Sequence, residues 1–317
     1  MGFFRSQLLT TPTYPTESFV GKTCIVTGSN SGLGKEAARH FARLGASRVI
    51  LAVRNAAAGE ASKLEIESST GCGSTVVEVW ELDLASFVSV KAFASRAQSL
   101  NQIDVLCENA AVAAYEYSCA EGHERTIVVN IISTFLLGLL LLPKLQSTSK
   151  SLGTGAHWTV VSSEVHAYAK FPEAKEPAIF KALDENYQQD MSDCYRTSKL
   201  LAILILRQIA PKIAGSGVIC NYLSPGLCHS GLFRSAGWLP AVLKFVFARS
   251  AEVGSRTLVA AAVAPQESHG KYMIDGVIDD EALSLFVKSE DGAEAGKRVW
   301  AELSTILEKI EPGITSL

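Results

Sequence analysis

"TGSNSGLGKEAARH", residues 27–40, follows the apolar run "KTCIVTG" (22–28) and places glycines at positions 28, 32 and 34. Glycines at this spacing let a strand turn tightly into a helix and let the backbone approach a ligand closely. The helix start then offers N–H groups and a partial positive charge, a combination suited to a dinucleotide pyrophosphate. The same composition also serves an ordinary tight turn, so the rest of the chain has to decide.

Working outward, strand-like runs alternate with helix-like ones. Strands are expected at 22–28, 48–53, 75–81, 103–107, 157–162, 217–223 and 271–274, and several are apolar throughout, as strands buried on both faces are. Helices are expected at 32–44, 56–69, 86–99, 121–146, 191–213, 251–263 and 292–309. Repeated β-α-β-α implies a doubly wound parallel sheet with helices on both faces, continuous past residue 150. No repeat, low-complexity tract or linker divides it. The expected organisation is an N-terminal extension (1–19) followed by a single α/β domain (20–317).

A net charge of −3 over 317 residues gives no basic field for nucleic acid. The seven cysteines form no C-x-x-C pair and no metal-ligand spacing, which reads as free thiols in a reducing, cytoplasmic setting with no metal site. No secretory signal is evident at the N-terminus. The longest apolar stretch, 127–142, is shorter than a bilayer span and is interrupted by Asn130, so it reads as a buried core helix.

The second expected strand ends "ILAVRN" (50–55). Near this point an acid would bind the adenosine ribose of NAD, whereas arginine suits the 2′-phosphate of NADP; Arg54 stands there and no acid does. A solvated surface arginine is the plainer alternative. Farther on, "YRTSK" puts Tyr195 and Lys199 one turn apart on one helix face. A phenol titrates near ~10, and a nearby ammonium lowers that value by stabilising the phenolate. Y-x-x-x-K alone is often just a solvated helix face.

Together these motifs resemble the short-chain dehydrogenase/reductase family, over roughly residues 20–275. "TGSNSGLG" resembles the family's cofactor turn, which assigns Gly28, Ser29, Asn30, Ser31, Gly32, Leu33 and Gly34 to the cofactor. "LDL" places Asp83 at the adenine ring, and "ENAA" places Asn109 where the family has N-N-A-G, with Glu108 and Ala111 as departures. Glu108, at a strand end, reads as solvated and inert. "VVN" supplies Asn130 for a proton relay, and "VVSSE" supplies a substrate-orienting serine, Ser163 fitting better than Ser162. "SPGLCHS" (224–230) resembles the Pro-Gly segment that folds over the nicotinamide, with Ser230 where threonine is common. The long gap between Ser163 and Tyr195, with "LAVRN" and "ERTIVVNIISTFLL", is similar to the retinol-dehydrogenase-like branch and to related fungal reductases of secondary metabolism.

The resemblance implies a Rossmann fold and NADP(H)-dependent hydride transfer to or from a carbonyl or secondary alcohol. In it, Ser163 holds the oxygen, Tyr195 donates the proton, and Lys199 tunes Tyr195 and holds the nicotinamide ribose. Glu164, His166 and Tyr168 follow the serine, where side chains either face a substrate or, more commonly, stand in a strand-end loop without function. An insertion at about 167–190, with Phe171, Phe180 and Tyr187, and a lid at about 231–250, with Trp238, Leu239, Leu243 and Phe247, would wall a bulky apolar small molecule. The apolar segment 237–249 with Lys244 and Arg249 also leaves peripheral membrane contact open, and apolar helix 191–213 leaves a homodimer open. Two rival functions remain: a non-catalytic NADP-binding scaffold, which loss of Ser163, Tyr195 or Lys199 would have favoured, and a dehydratase or epimerase using the same acid–base pair.

Overall fold

Eight strands form the main sheet, and the order in which they pair locates the functional end of the molecule. The computed structural model describes residues 6, 7, 9–229 and 248–317. In chain order the elements are β1 (Thr23–Thr27), α1 (Gly32–Arg43), β2 (Arg48–Val53), α2 (Ala56–Thr70), β3 (Val77–Glu81), α3 (Phe87–Gln98) and β4 (Val105–Glu108). A short hairpin, β5 (Cys119–Ala120) and β6 (His123–Glu124), leads into helix α4 (Arg125–Leu152). Then come β7 (Ala156–Val161), α5 (Ile179–Tyr187), α6 (Cys194–Lys212), β8 (Val218–Ser224), α7 (Ala251–Ala261), β9 (Tyr272–Ile274), β10 (Val277–Ile278) and α8 (Glu290–Ile310).

The strand order is β10-β9-β8-β7-β4-β1-β2-β3, parallel throughout except for the antiparallel β10 edge. Winding runs one way through β1, β2 and β3 and resumes on the other side of β1 with β4. Carboxyl ends of β1 and β4 therefore flank a switch point, the crevice where open α/β sheets bind ligands.

Both faces of the sheet are covered, which is why β1, β7 and β8 are buried along their whole length. On one face Ala37, Ala38 and Phe41 of α1 pack with Leu258 and Val259 of α7 and with Ile66 of α2. On the other, α3, α4, α6 and α8 cover a larger core around Phe135, Trp158 and Tyr222. Each large apolar side chain fully removed from water there contributes roughly 1.5–3 kcal/mol.

Several expectations about the elements need correction. The helix expected at 121–146 begins only at Arg125, because Glu121 and Gly122 turn at positive φ between β5 and β6. It then runs 28 residues, long and apolar enough to cross a membrane by length and composition, although 89% of its most apolar window is buried inside the fold. The periodic signal did not anticipate α5 or the edge strand β10. α6 is buried around nearly its whole circumference, and α8 packs along it, so its apolar faces are covered from within the chain.

Candidate active site

Gly28 leaves β1 with φ +65° and donates its N–H to the Ala52 carbonyl at 2.8 Å. A Cβ on Gly28 would lie 2.8 Å from the Ala110 backbone, so glycine is required where the loops after β1 and β4 meet. On Gly34 a Cβ would meet the Asn109 amide nitrogen at 2.5 Å and the Gly28 carbonyl oxygen at 2.7 Å. The absence of that Cβ lets α1 start immediately beside the turn. Asn109 is the brace between the loops: its amide donates to the Thr27 carbonyl (2.9 Å) and the Gly28 carbonyl (3.3 Å). The Thr27 hydroxyl in turn accepts from the Asn109 and Ala110 N–H groups at 3.0 and 2.9 Å.

Residues of the turn divide by role. Ser29 is buried and its hydroxyl donates to the Val26 carbonyl, while the Asn30 carbonyl accepts from Ser62. Both hold the loop's shape. Ser31 is the extended N-cap of α1, yet its side chain makes no capping bond, and the first turn carries no acid. The amide groups and dipole of that helix start therefore remain available to an anion, and the turn fits a pyrophosphate. Gly32, at φ +59°, follows it, and Leu33 extends toward Gly254 in α7.

Arg54 is exposed one residue past β2, and Asp83 is half-buried two residues past β3, both at carboxyl ends of strands beside the turn. One Asp83 carboxylate oxygen accepts from the Ala85 N–H at 2.9 Å.

The second half of the site forms where β7 meets α6. Ser162 is buried and donates to the Lys199 backbone carbonyl at 3.0 Å, which pins α6 to the strand end. Ser163, the next residue, is half-buried and caps a short 3-10 turn (Glu164–Tyr168) by accepting from the Val165 N–H at 3.3 Å. The Lys199 ammonium donates to the Val161 carbonyl at 2.8 Å and lies 5.7 Å from the centre of the Tyr195 ring. Ser163, Tyr195 and Lys199 thus all lie where the carboxyl end of β7 meets α6.

Their acidities differ from expectation. Burial drives the Tyr195 phenol up, and burial brings Lys199 down to about 8. In this structure desolvation outweighs the expected lowering of the phenol by the ammonium. The lysine remains charged through neutral pH all the same.

Asn130 lies in a π-helical turn (Val128–Ile132) at the start of α4, a distortion often found at functional sites. Its side-chain oxygen accepts from the Val112 N–H (2.9 Å), and its amide donates to the Val112 carbonyl (2.9 Å) and to Ser198 Oγ (3.0 Å). Ser198 donates onward to the Tyr195 carbonyl at 2.8 Å. The side chain of Asn130 ties the loop after β4 to the Tyr195 helix.

His166 faces the core. Its Nδ1 pairs with the Ser163 carbonyl at 2.7 Å, and its Nε2 accepts from the Ser284 N–H at 3.2 Å, which fixes a neutral ring. Tyr168 is exposed, whereas Glu164 is half-buried, with its carboxyl pushed up to about 7 by burial and by Asp275. The aromatic wall expected from the insertion is overturned: Phe171, Phe180 and Tyr187 are buried in the main core, where Phe171 packs on Phe286 and Phe180 on His123. α5 is amphipathic and turns Phe180 and Tyr187 inward. Ser230 and residues 231–247 of the expected lid lie outside the described residues.

Two buried carboxyl groups near the site were not legible in the sequence. Glu124, fully buried, accepts from Thr126, from the Ile127 N–H and from the Cys194 thiol (3.2 Å), joining the start of α4 to the residue before Tyr195. The other is Glu108, read from sequence as solvated. It is buried beneath the sheet end, accepts the Trp158 indole N–H at 2.7 Å, and leaves its other carboxyl oxygen unpartnered. Burial pushes its pKa well up. A carboxyl raised above its unfolded value stabilises fully only below that value (~4.3), and the contribution falls as pH rises toward the folded pKa. Glu108→Gln should therefore melt above wild type at pH 8, with the gap closing toward pH 4.5. An equal drop in Tm at both pH values would refute this.

A parallel α/β fold with a glycine turn at its switch point and a Tyr-x-x-x-Lys helix beside it defines a dinucleotide-dependent enzyme class. The chain belongs to the short-chain dehydrogenase family and is an oxidoreductase of that family; the family's sequence profile matches residues 22–157. It is 45% identical to the short chain dehydrogenase/reductase dmxR8 of Cryptosporiopsis sp., across 100% of this chain and 99% of that protein. Identity to the short-chain dehydrogenase anuD of Penicillium roqueforti is 42%, across 99% and 84%. Among solved structures, the Pseudomonas aeruginosa RhlG/NADP active-site complex shares the fold (TM-score 0.64, 20% identity, 82% of this chain and 97% of that one). So does a 3-ketoacyl-(acyl-carrier-protein) reductase from Brucella melitensis complexed with NADH (TM-score 0.61, 19% identity, 81% and 97%).

Proposed function

We propose that the protein is an NADP(H)-dependent ketoreductase acting on a bulky, largely apolar carbonyl compound, in the manner of the fungal secondary-metabolism reductases it resembles. The observation that carries the reading is the convergence of Ser163, Tyr195 and Lys199 at the carboxyl end of β7, beside an anion-ready turn at the β1/β4 switch point. A bound nicotinamide supplies or accepts the hydride. Ser163 and Tyr195 direct hydroxyl groups at the substrate oxygen, which becomes alkoxide-like as the reaction proceeds, and Tyr195 delivers the proton to it. Lys199 holds positive charge beside the phenol. Asn130, with both ends of its amide engaged by protein, positions the loop after β4 and the Tyr195 helix. Presence of the complete trio argues against a non-catalytic scaffold.

NADP is favoured over NAD by Arg54, exposed past β2 where an acid would be needed for the ribose of NAD. Charge-assisted hydrogen bonds to a 2′-phosphate contribute on the order of 1.5–3 kcal/mol each, roughly tenfold or more in affinity. NADPH should bind at least tenfold more tightly than NADH, and Arg54→Ala should abolish most of that preference. Titration of both cofactors against both proteins checks it, and equal affinities in wild type would sink the NADP assignment. Consumption of NADPH with bulky bicyclic and aryl ketones, but not with small aliphatic ones, is the expected substrate pattern.

A further inference from the structure

Residues 6, 7 and 9–15 run across the functional end of the molecule and are held there by buried polar contacts. Gln7 makes a two-way amide pair with the Leu227 backbone: its oxygen accepts from the Leu227 N–H and its nitrogen donates to the Leu227 carbonyl, each at 2.9 Å. Arg249, itself buried, donates to the carbonyls of Ser6 (2.6 Å), Thr10 (2.9 Å) and Pro225 (3.3 Å) and pairs with Asp275 at 2.7 Å. Farther along, Arg256 donates to the Pro12 carbonyl (3.0 Å) and Arg43 to that of Pro15 (2.8 Å). The Tyr14 ring lies between those two guanidinium groups, 4.5 and 5.1 Å from its centre.

What the segment grips is the loop Pro225–Cys228, and this loop adjoins both halves of the candidate site. On one side, Cys228 Sγ and Leu33 of the glycine turn both crowd Gly254, filling the space that a Cβ there would need. On the other, Ser224 Oγ accepts from the N–H groups of Glu164 and Gly226, each at 3.2 Å, and Glu164 follows Ser163 directly. The loop therefore bridges the turn and the serine, and its only side-chain amide clamp among the described residues comes from the N-terminal segment.

We propose that the N-terminal segment is an internal strap in which Gln7 is a positioning residue, holding the Pro225–Leu227 loop over the cofactor and setting how fast the cofactor leaves. This rests on the reading of the site as an NADP(H) site. Loss of two hydrogen bonds to one backbone unit frees the loop without removing any group that contacts the reacting atoms. The effect should fall on dissociation, because the docking groups at the turn and Arg54 are untouched.

The test is stopped-flow release of NADPH from the full-length protein, compared with Gln7→Ala and Gln7→Met. Methionine keeps the length and apolar bulk of glutamine but can neither donate nor accept a strong hydrogen bond. Both variants should release NADPH roughly five- to tenfold faster than wild type, as expected for hydrogen bonds of ordinary strength, with association within about twofold. Amide exchange should accelerate in residues 224–229 and stay unchanged in β1 and β4, which a general loss of stability would not produce. Wild-type release from Gln7→Ala, or recovery of the wild-type rate in Gln7→Met, would overturn the strap alone. A wild type that binds neither NADPH nor NADH would overturn the strap together with the functional reading.

Discussion

Replacing Tyr195 with Phe is expected to lower kcat/KM for carbonyl reduction by roughly 10²–10⁴-fold, the usual range for removing a positioned acid–base group. That is about 3–5.5 kcal/mol of transition-state stabilisation. The ring is half-buried at the first turn of α6, so the substitution removes one hydroxyl and almost no packing. NADPH affinity should stay within about twofold of wild type, and Tm should shift by no more than a few degrees. Steady-state kinetics with a good ketone, alongside cofactor titration and thermal melting, separates the outcomes. Near-wild-type turnover in Tyr195→Phe would show that another group delivers the proton, and a collapse in stability would show that the hydroxyl serves the fold.

Lys199→Met should act on two observables that a surface lysine would leave alone. The ammonium lies 5.7 Å from the centre of the Tyr195 ring, and burial leaves it charged up to about pH 8. Taking that separation as the scale, one elementary charge at an effective dielectric near 20 favours a phenolate by about 3 kcal/mol, roughly two pH units. Removing the cation disfavours the phenolate, so Tyr195 loses its proton later. The rising limb of the pH–rate profile for alcohol oxidation should therefore move one to two units to higher pH. Cofactor affinity should weaken as well, if the ammonium reaches the nicotinamide ribose. An unmoved profile with unmoved cofactor affinity would count against the mechanism.

Glu108→Gln probes a different property, because its carboxyl lies in the core under Trp158 and touches no reacting group. Its stability gap over wild type should widen with pH, whereas the Tyr195 and Lys199 variants report on turnover.

Much of the site is legible in the order of the residues. Gly28, Gly32 and Gly34 mark the turn because backbone sterics leave few alternatives at such positions, and Tyr195 and Lys199 share a helix face because the helical repeat places them there. Alternating apolar runs likewise imply the parallel sheet, since strands covered on both faces exclude most polar positions. Local covalent geometry and the exclusion of water from apolar surface act over short spans of chain, so their signature is written in consecutive residues.

Tertiary structure alone decided the environment of each polar group. Glu108 at a strand end looks solvated, yet Trp158, fifty residues on, closes over it, and burial pushes its pKa well up. Phe171, Phe180 and Tyr187 look like walls of a substrate pocket, but Phe286 receives the first, and α8 and β6 receive α5 with the other two, as core. Asn130 acquires its partners from Val112 and Ser198, and an extension with no motif of its own becomes a strap because Arg249 and Leu227 lie beneath it. Burial and hydrogen-bond pairing depend on residues far apart in the chain. No local pattern encodes which distant group will arrive, and so the acidity of the site and the grip on its loop emerge only when the chain has folded.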